Sequence, residues 1–367
     1  MAAQPPEPRA QPELVGQDAA REVLARALGS GRLAHGWLLS GQTGIGKATL
    51  AYRFARALLA GPDACDPTLA LPPEHPVFRQ VARGAHPDLT VIEPERDPRT
   101  GRLKAEIPVA AVRAATAALH ATAAMGGWRV VLVDGAERLN RNAANALLKS
   151  LEEPPAAVAI ILTSPRPAQV AATLRSRCAK LALARLPDAL VVEGLARWTP
   201  EVAAEQRSAI ALLARGSLGR ALALADEDWL PLYQGLAECL GADRRDPLAL
   251  HGLAGALARQ AEQSGMSGPL GMIQELLGRT VAAGCGRLGP PLFTTEAAAL
   301  ERLAGRRPLD RWAALWDKIR RLAAAVDRLN LDRTQTLLHI LTLLAPAAGQ
   351  DEAAALATPS GARDVLG

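Results

Sequence analysis

Gly41-Gln42-Thr43-Gly44-Ile45-Gly46-Lys47-Ala48 decides how the rest of the chain is read. It matches the phosphate-binding pattern G-x-x-x-x-G-K-[ST] everywhere except at its last position. In that pattern main-chain N–H groups wrap the phosphates, the lysine reaches the β and γ oxygens, and the final hydroxyl holds Mg²⁺. Gly41, Gly44, Gly46 and Lys47 are present, but the magnesium ligand is replaced by Ala48. Thr49 carries the nearest hydroxyl, yet one step along a helix is a rotation of about 100°, which turns it elsewhere.

Outward from the loop, Trp37 to Ser40 reads as a short buried strand, and 47–59, with Leu50, Phe54 and Leu58, as the helix that follows. Strand, glycine loop and helix are the context this motif requires. Upstream, Ala20, Val23, Leu24 and Leu28 give residues 18–28 a helical period. The Pro-rich residues 1–12 read as a mobile tail. Downstream, apolar runs predict strands at Leu89–Ile92, at Val130–Val133 ending in Asp134, at Val158–Leu162 ending in Thr163-Ser164, and at Lys180–Leu183. Between them lie an exposed charged turn at 94–104, an Ala-rich helix at 108–124, and a helix capped by Asn140 or Asn142 that stops at Pro154-Pro155. Residues 61–88, rich in proline and without a period, read as a loop, and Leu174–Cys178 as a polar turn. Five buried strands alternating with helices imply a parallel sheet covered on both faces, with ligands beyond the carboxyl ends of the strands.

Past residue 187 the strands give way to helical periods, with a break at Gly216-Ser217. In 309–330, Trp312, Leu315, Trp316, Ile319, Leu322, Val326 and Leu329 recur at three- and four-residue steps, the mark of a helix–helix seam. The predicted organisation is a tail at 1–12, an α/β P-loop domain at 13–185, a small helical domain at 186–228, an all-α domain at 229–350 and a second tail at 351–367.

Composition bounds the rest. Hydrophobic residues make up 49% and charged residues 22%, so substantial cores form, while aromatics are only 3% and the cores are mostly Ala, Leu and Val. The net charge of +5 is compatible with a polyanionic partner. Only five of the 42 basic residues are lysine, however, and no dense basic run occurs, so charge by itself is weak support for nucleic acid. Cys65, Cys178, Cys239 and Cys285 are far apart and form no C-x-x-C pair, which excludes a zinc cluster or disulfide framework of that kind. No apolar stretch reaches membrane-spanning length and the N-terminus is no signal peptide, so a cytoplasmic protein is expected.

Asp134, at the end of a buried strand downstream of the loop, is the acid that P-loop enzymes use to hold Mg²⁺. The next position, where a hydrolytic site of this kind carries a glutamate to orient water, is Gly135. Glu137, two residues further on, is expected to face away as a solvated charge or cap. Two catalytic groups are therefore missing from one site.

The run Asn145-Ala-Leu-Leu-Lys149-Ser-Leu-Glu152-Glu153-Pro154-Pro155, then Thr163, then Leu174-Arg175-Ser176-Arg177-Cys178, resembles the clamp-loader branch of the AAA+ ATPases. Within that branch it is most similar to the delta prime family of bacterial DNA polymerase III. His86-Pro87-Asp88 and Gly216-Ser217-Leu218-Gly219-Arg220 add to the likeness, which covers about 14–225. The resemblance implies that Arg177, rather than Arg175, is an arginine finger acting in the ATP site of a neighbouring subunit. It makes Thr163, with Ser164, and Arg220 sensor positions around a degenerate ATP site formed by Gly41, Gly44, Gly46, Lys47, Thr49 and Asp134. Lys149 and Glu152 face a neighbour, DNA or solvent. Relatives often carry a four-cysteine zinc module; here Cys65, His75 and His86 lack tetrahedral spacing, and no zinc is expected.

What the resemblance implies overall is a non-hydrolytic subunit of a hetero-pentameric clamp loader. Its partners would be gamma/tau and delta subunits, the sliding clamp and, through the assembled complex, primed DNA. No cofactor is required, and ATP or ADP would bind at most weakly. The competing readings are an active ATPase motor of the gamma/tau type and, less well supported, a stand-alone DNA-binding module.

Overall fold

The computed structural model describes residues 7–31, 33–95, 104, 106–226, 229–242, 246–264, 266–329 and 332–345. The chain divides into two compact units, Met1–Ala223 and Leu224–Gly367.

The first unit is built on a five-stranded parallel sheet. Its strands are β1 (Gly36–Ser40), β2 (Leu89–Ile92), β3 (Arg129–Asp134), β4 (Val158–Ser164) and β5 (Ala179–Ala182), in the order β2-β3-β4-β1-β5. All pairings are parallel. β4 is buried at every position, because it is central and covered on both faces. One face packs on α1 (Asp18–Gly29) and α2 (Lys47–Ala60), through Leu24, Leu50 and Phe54. The other packs on α4 (Val109–His120) and α5 (Arg141–Glu152), through Val112, Leu119, Ala144 and Leu147. Asn140 rather than Asn142 caps α5, its side chain accepting the N–H of Ala143 at 3.0 Å.

Two parts of this unit depart from the sequence reading. Proline density at 61–88 hid a short helix, α3 (Pro76–Ala82), which starts on its own proline and is capped by His75. Residues 7–12 are not a tail but a strap across α2. Arg56, only 1% exposed, donates to the carbonyls of Arg9 and Gln11, both at 3.0 Å, and lies 4.4 Å from the Phe78 ring. Arg53 donates to the carbonyls of Pro12 at 3.0 Å and Thr68 at 2.9 Å. Buried guanidinium groups thus take up carbonyls that secondary structure leaves unpaired. Residues 1–6, most of the 94–104 turn and the 351–367 segment lie outside the described residues.

α6 (Ala172–Arg175) lies between β4 and β5, and two further helices, α7 (Asp188–Trp198) and α8 (Ala204–Ala214), follow the sheet. Arg215 and Gly216 then take left-handed conformations, and the chain turns into α9 (Leu218–Asp226). Most of the segment read as a separate small domain therefore belongs to the same compact unit as the sheet.

The second unit is helical in its described residues: α10 (Trp229–Gly241), α11 (Pro247–Ser264), α12 (Ser267–Gly284), α13 (Glu296–Ala304), α14 (Leu309–Leu329) and α15 (Arg333–Leu344). The seam role of the tryptophans holds: Trp312 is fully buried and Trp316 packs over Gly278 of α12. The side chains of Val326 and Leu329 lie outside the description. Glu296, fully buried, accepts from Tyr233, Arg279 and the N–H of Leu292, so its charge is paired and hydrogen-bonded as burial demands. Among the described residues no helix is long and apolar enough to cross a membrane.

Candidate functional site

The phosphate loop leaves β1 at Ser40 and enters α2 at Lys47. Gly44 and Gly46 have φ of +75° and +102°, a region open to glycine at little cost, and this is what curls the loop. The Lys47 ammonium is buried and bonds the carbonyls of Gly41 and Gln42, both at 2.8 Å. Burial lowers its pKa, and the Asp134 and Glu137 carboxylates oppose that shift.

β4 lies between β1 and β3, so the ends of these strands converge on the loop. Asp134 pairs in register with Thr163, and Ser40 with Ser164. The fully buried Thr163 hydroxyl donates to Asp134 and accepts the N–H of Gly135 at 3.3 Å. Gly135 sits at φ 85° and ψ 50°, where a side chain is strained, so a glutamate is disfavoured there by the backbone itself. The 3₁₀ turn Ala136–Arg138 then carries Glu137 back towards the site. Its carboxylate borders the cavity and accepts from Ser164 at 2.9 Å, which corrects the expectation that it faces away.

The cavity so formed has a volume of about 570 Å³, within the range of small-molecule sites. Its polar lining includes the loop with Asp134 and Glu137, and its apolar lining includes Leu14, Val15, Leu186, Trp198, Leu218 and Leu222. Thr49 borders it as well, beside Ala48. This combination fits a nucleotide: curled N–H groups and an ammonium for phosphates, an apolar recess for a base. It lacks one ligand for the divalent ion of hydrolysis, since position 48 presents a methyl group.

The turn before α9 closes on the crest of the loop. Gly219 N–H donates to Gly44 O at 2.9 Å, Ser217 Oγ to Thr43 O at 2.8 Å, and Gln42 Nε2 to Arg215 O at 2.8 Å. The first two bonds take carbonyls of the loop, and the third takes the carbonyl of Arg215. Arg220 approaches the loop through its main chain; the residue is exposed and does not line the cavity.

Arg177 lies elsewhere. It precedes β5, at the amino end of a parallel sheet whose carboxyl ends carry the loop. Crossing the five residues of β1 at about 3.3 Å each puts roughly 16 Å between those ends. The Arg177 side chain is 37% exposed and forms an ion pair with Glu152 at 2.6 Å. Of the residues singled out from sequence, the fold thus gathers Gly41, Gly44, Gly46, Lys47, Thr49, Asp134 and Thr163 at one end and sets Arg177 at the other. Sequence reasoning missed the strap and the apolar recess; the one available signal was that α2 carries arginines on faces that are apolar elsewhere.

A parallel sheet in this order, with a phosphate loop after β1 and an acid ending β3, defines a P-loop domain of the AAA+ type. Residues 16–187 match the model of the family described as DNA polymerase III, delta subunit. The DNA polymerase III subunit delta' of Pseudomonas aeruginosa is 38% identical over 52% of this chain and 55% of its own. That of Escherichia coli K12 is 36% identical over 60% of this chain and 63% of its own. The DNA polymerase III subunit tau of Escherichia coli K12 is 31% identical over 60% of this chain and 33% of its own. The chain thus matches less than two thirds of the length of these relatives.

Proposed function

We propose that this protein is a delta prime-type, non-hydrolysing subunit of a clamp loader, which lends Arg177 to an ATP site on a neighbouring subunit. The carrying observation is the separation of the two ends of the sheet: an exposed arginine sits at the opposite end from its own phosphate loop, where it cannot serve that loop. An arginine placed against a transferring phosphoryl group is worth on the order of 10³–10⁵ in rate. The home site, with Ala48 and Gly135, would hold ATP or ADP weakly and without turnover. A structural zinc is no part of this reading, since His75 and His86 each accept a main-chain N–H. The complex would be a hetero-pentamer with gamma/tau and delta subunits, acting in the cytoplasm to place a sliding clamp on primed DNA.

The reconstituted complex tests this reading. Arg177→Ala should leave assembly intact by native mass spectrometry and lower DNA-stimulated ATPase at least tenfold per dependent site; an unchanged rate removes the finger. The position of Glu137 at the cavity favours a second reading, an active gamma/tau-type motor. Steady-state ATP hydrolysis by the isolated chain, abolished by Lys47→Ala, would establish that reading and end the first.

A further inference from the structure

Glu152 ends α5 and Arg177 follows α6, and packing brings their neighbours together. A Cβ on Gly36, the first residue of β1, would lie 2.6 Å from Leu151 Cδ2, 3.1 Å from Cys178 Sγ and 3.4 Å from Arg177 O. The missing side chain at Gly36 lets Leu151 and Cys178 settle over the start of β1, and Glu152 and Arg177 come into register beside them. The guanidinium is then held at three points. Glu152 Oε1 takes Nη2 at 2.6 Å, while Thr173 O at 3.1 Å and Ser176 Oγ at 3.3 Å take Nη1. A guanidinium has five N–H donors, so at least two remain, Nε–H among them.

An isolated surface ion pair commonly adds little to stability. This one is different in what it orders. Arginine loses considerable rotamer freedom when immobilised, and a side chain ordered beforehand loses less on meeting its target. Half-exposed, the pair is also weak enough to yield one nitrogen to a more highly charged acceptor.

We propose that Glu152 is the positioning residue for Arg177: it holds the guanidinium ordered so that a phosphoryl group on the neighbouring subunit meets an oriented donor. This rests on the finger reading above.

The test uses the reconstituted complex with Glu152→Ala, Glu152→Gln, Arg177→Ala and the double variant Glu152→Ala/Arg177→Ala. Glu152→Ala should lower the DNA-stimulated kcat roughly three- to fivefold, the upper range for a half-exposed pair, with KM for ATP unchanged. Glu152→Gln, which keeps an acceptor oxygen, should recover at least half of that loss. The double variant should match Arg177→Ala alone. In the isolated chain, ¹⁵N relaxation of the Arg177 Nε–H should show greater mobility in Glu152→Ala and not in Glu152→Gln, a readout independent of assembly. An unchanged or faster kcat in Glu152→Ala, or a further loss on the Arg177→Ala background, overturns the assignment while leaving the finger in place. If Arg177→Ala itself has no effect, both readings fall.

Discussion

Docking of the Ser217–Gly219 turn on the phosphate loop can be tested by one methyl group. Gly219 lies in the first turn of α9 without a positive φ, so alanine suits its backbone and, by helix propensity alone, would stabilise by up to about 1 kcal/mol. Sterically it does not fit. The added Cβ would stand 2.7 Å from Gly44 Cα and 3.1 Å from Gly44 O, against about 3.5–4.0 Å for an ordinary carbon contact. The turn must retreat by about 1 Å, stretching the 2.9 Å Gly219–Gly44 bond and the 2.8 Å Ser217–Thr43 bond. At about 0.5–1.5 kcal/mol for each bond, plus overpacking of about 1–3 kcal/mol, the loss exceeds the propensity gain. Gly219→Ala should therefore destabilise the first unit by roughly 1–5 kcal/mol. Gly29→Ala, where nothing lies within 4 Å of the new Cβ, should be neutral or stabilising by the same propensity argument. Urea titration gives the sign from the shift in midpoint at constant slope. Hydrogen exchange in peptides covering 41–47 and 215–222 should rise in Gly219→Ala and not in Gly29→Ala. A midpoint that rises in Gly219→Ala as it does in Gly29→Ala would mean that the turn stands away from the loop in solution.

Burial pushes the Cys178 thiol up to about 11 and the Tyr52 phenol up to about 12. Both are acids raised above their unfolded values, so the stability they lend is complete below about pH 9 and is lost as pH rises through 9–12, with Cys178 accounting for up to about 3 kcal/mol. Urea midpoints measured between pH 8 and 11 should fall, and Cys178→Ala should flatten the part of that fall between pH 9 and 11. At pH 8 a disulfide reagent should modify exposed Cys285 and spare Cys178 until the chain unfolds. Arg56→Ala should cost roughly 2–4 kcal/mol, from two charge-assisted bonds less the relief of a buried charge, and should open the peptide bond after Arg9 to trypsin. Resistance equal to that of the native chain would show that the strap is held by other contacts.

The strands were legible mainly because β1, β3 and β4 are apolar runs of strand length next to a glycine, proline or acid, while β2 and β5 carry Thr90 and Lys180 within theirs. The site was legible where its chemistry is local in sequence: the loop, Ala48, Asp134 and Gly135 all follow from spacing. What stayed hidden depends on contacts distant along the chain. Pro5, Pro6, Pro8 and Pro12 read as a tail, because proline lacks an N–H and favours extended chain. Nothing nearby announces that Arg53 and Arg56, more than forty residues on, supply donors to this segment. Glu137 was misread because one 3₁₀ turn reverses the direction that simple strand-to-helix spacing implies. Gly135 had the opposite fate: its absence of a carboxylate was plain in the sequence, but its cause, a left-handed backbone, is visible only in the fold.

A loop that keeps its glycines and lysine while lacking the metal-binding hydroxyl needs an account that does not depend on turnover, and packing supplies one. A Cβ on Gly41 would stand 3.1 Å from Leu183 O, just beyond β5; one on Gly44, 2.6 Å from Ser217 Oγ; one on Gly46, 3.0 Å from Leu14 Cδ1, next to the strap. Each glycine receives a different segment of the unit. Lys47, bonded to the carbonyls of Gly41 and Gln42, closes the loop on itself and offsets the negative ends of those peptide groups. The hydroxyl of the full motif has no counterpart among these contacts, since its partner is a metal ion. Position 48 is therefore free to become alanine at no structural cost, whereas Gly41, Gly44, Gly46 and Lys47 are each tied to the packing of the domain that holds Arg177 and Glu152 at its far end.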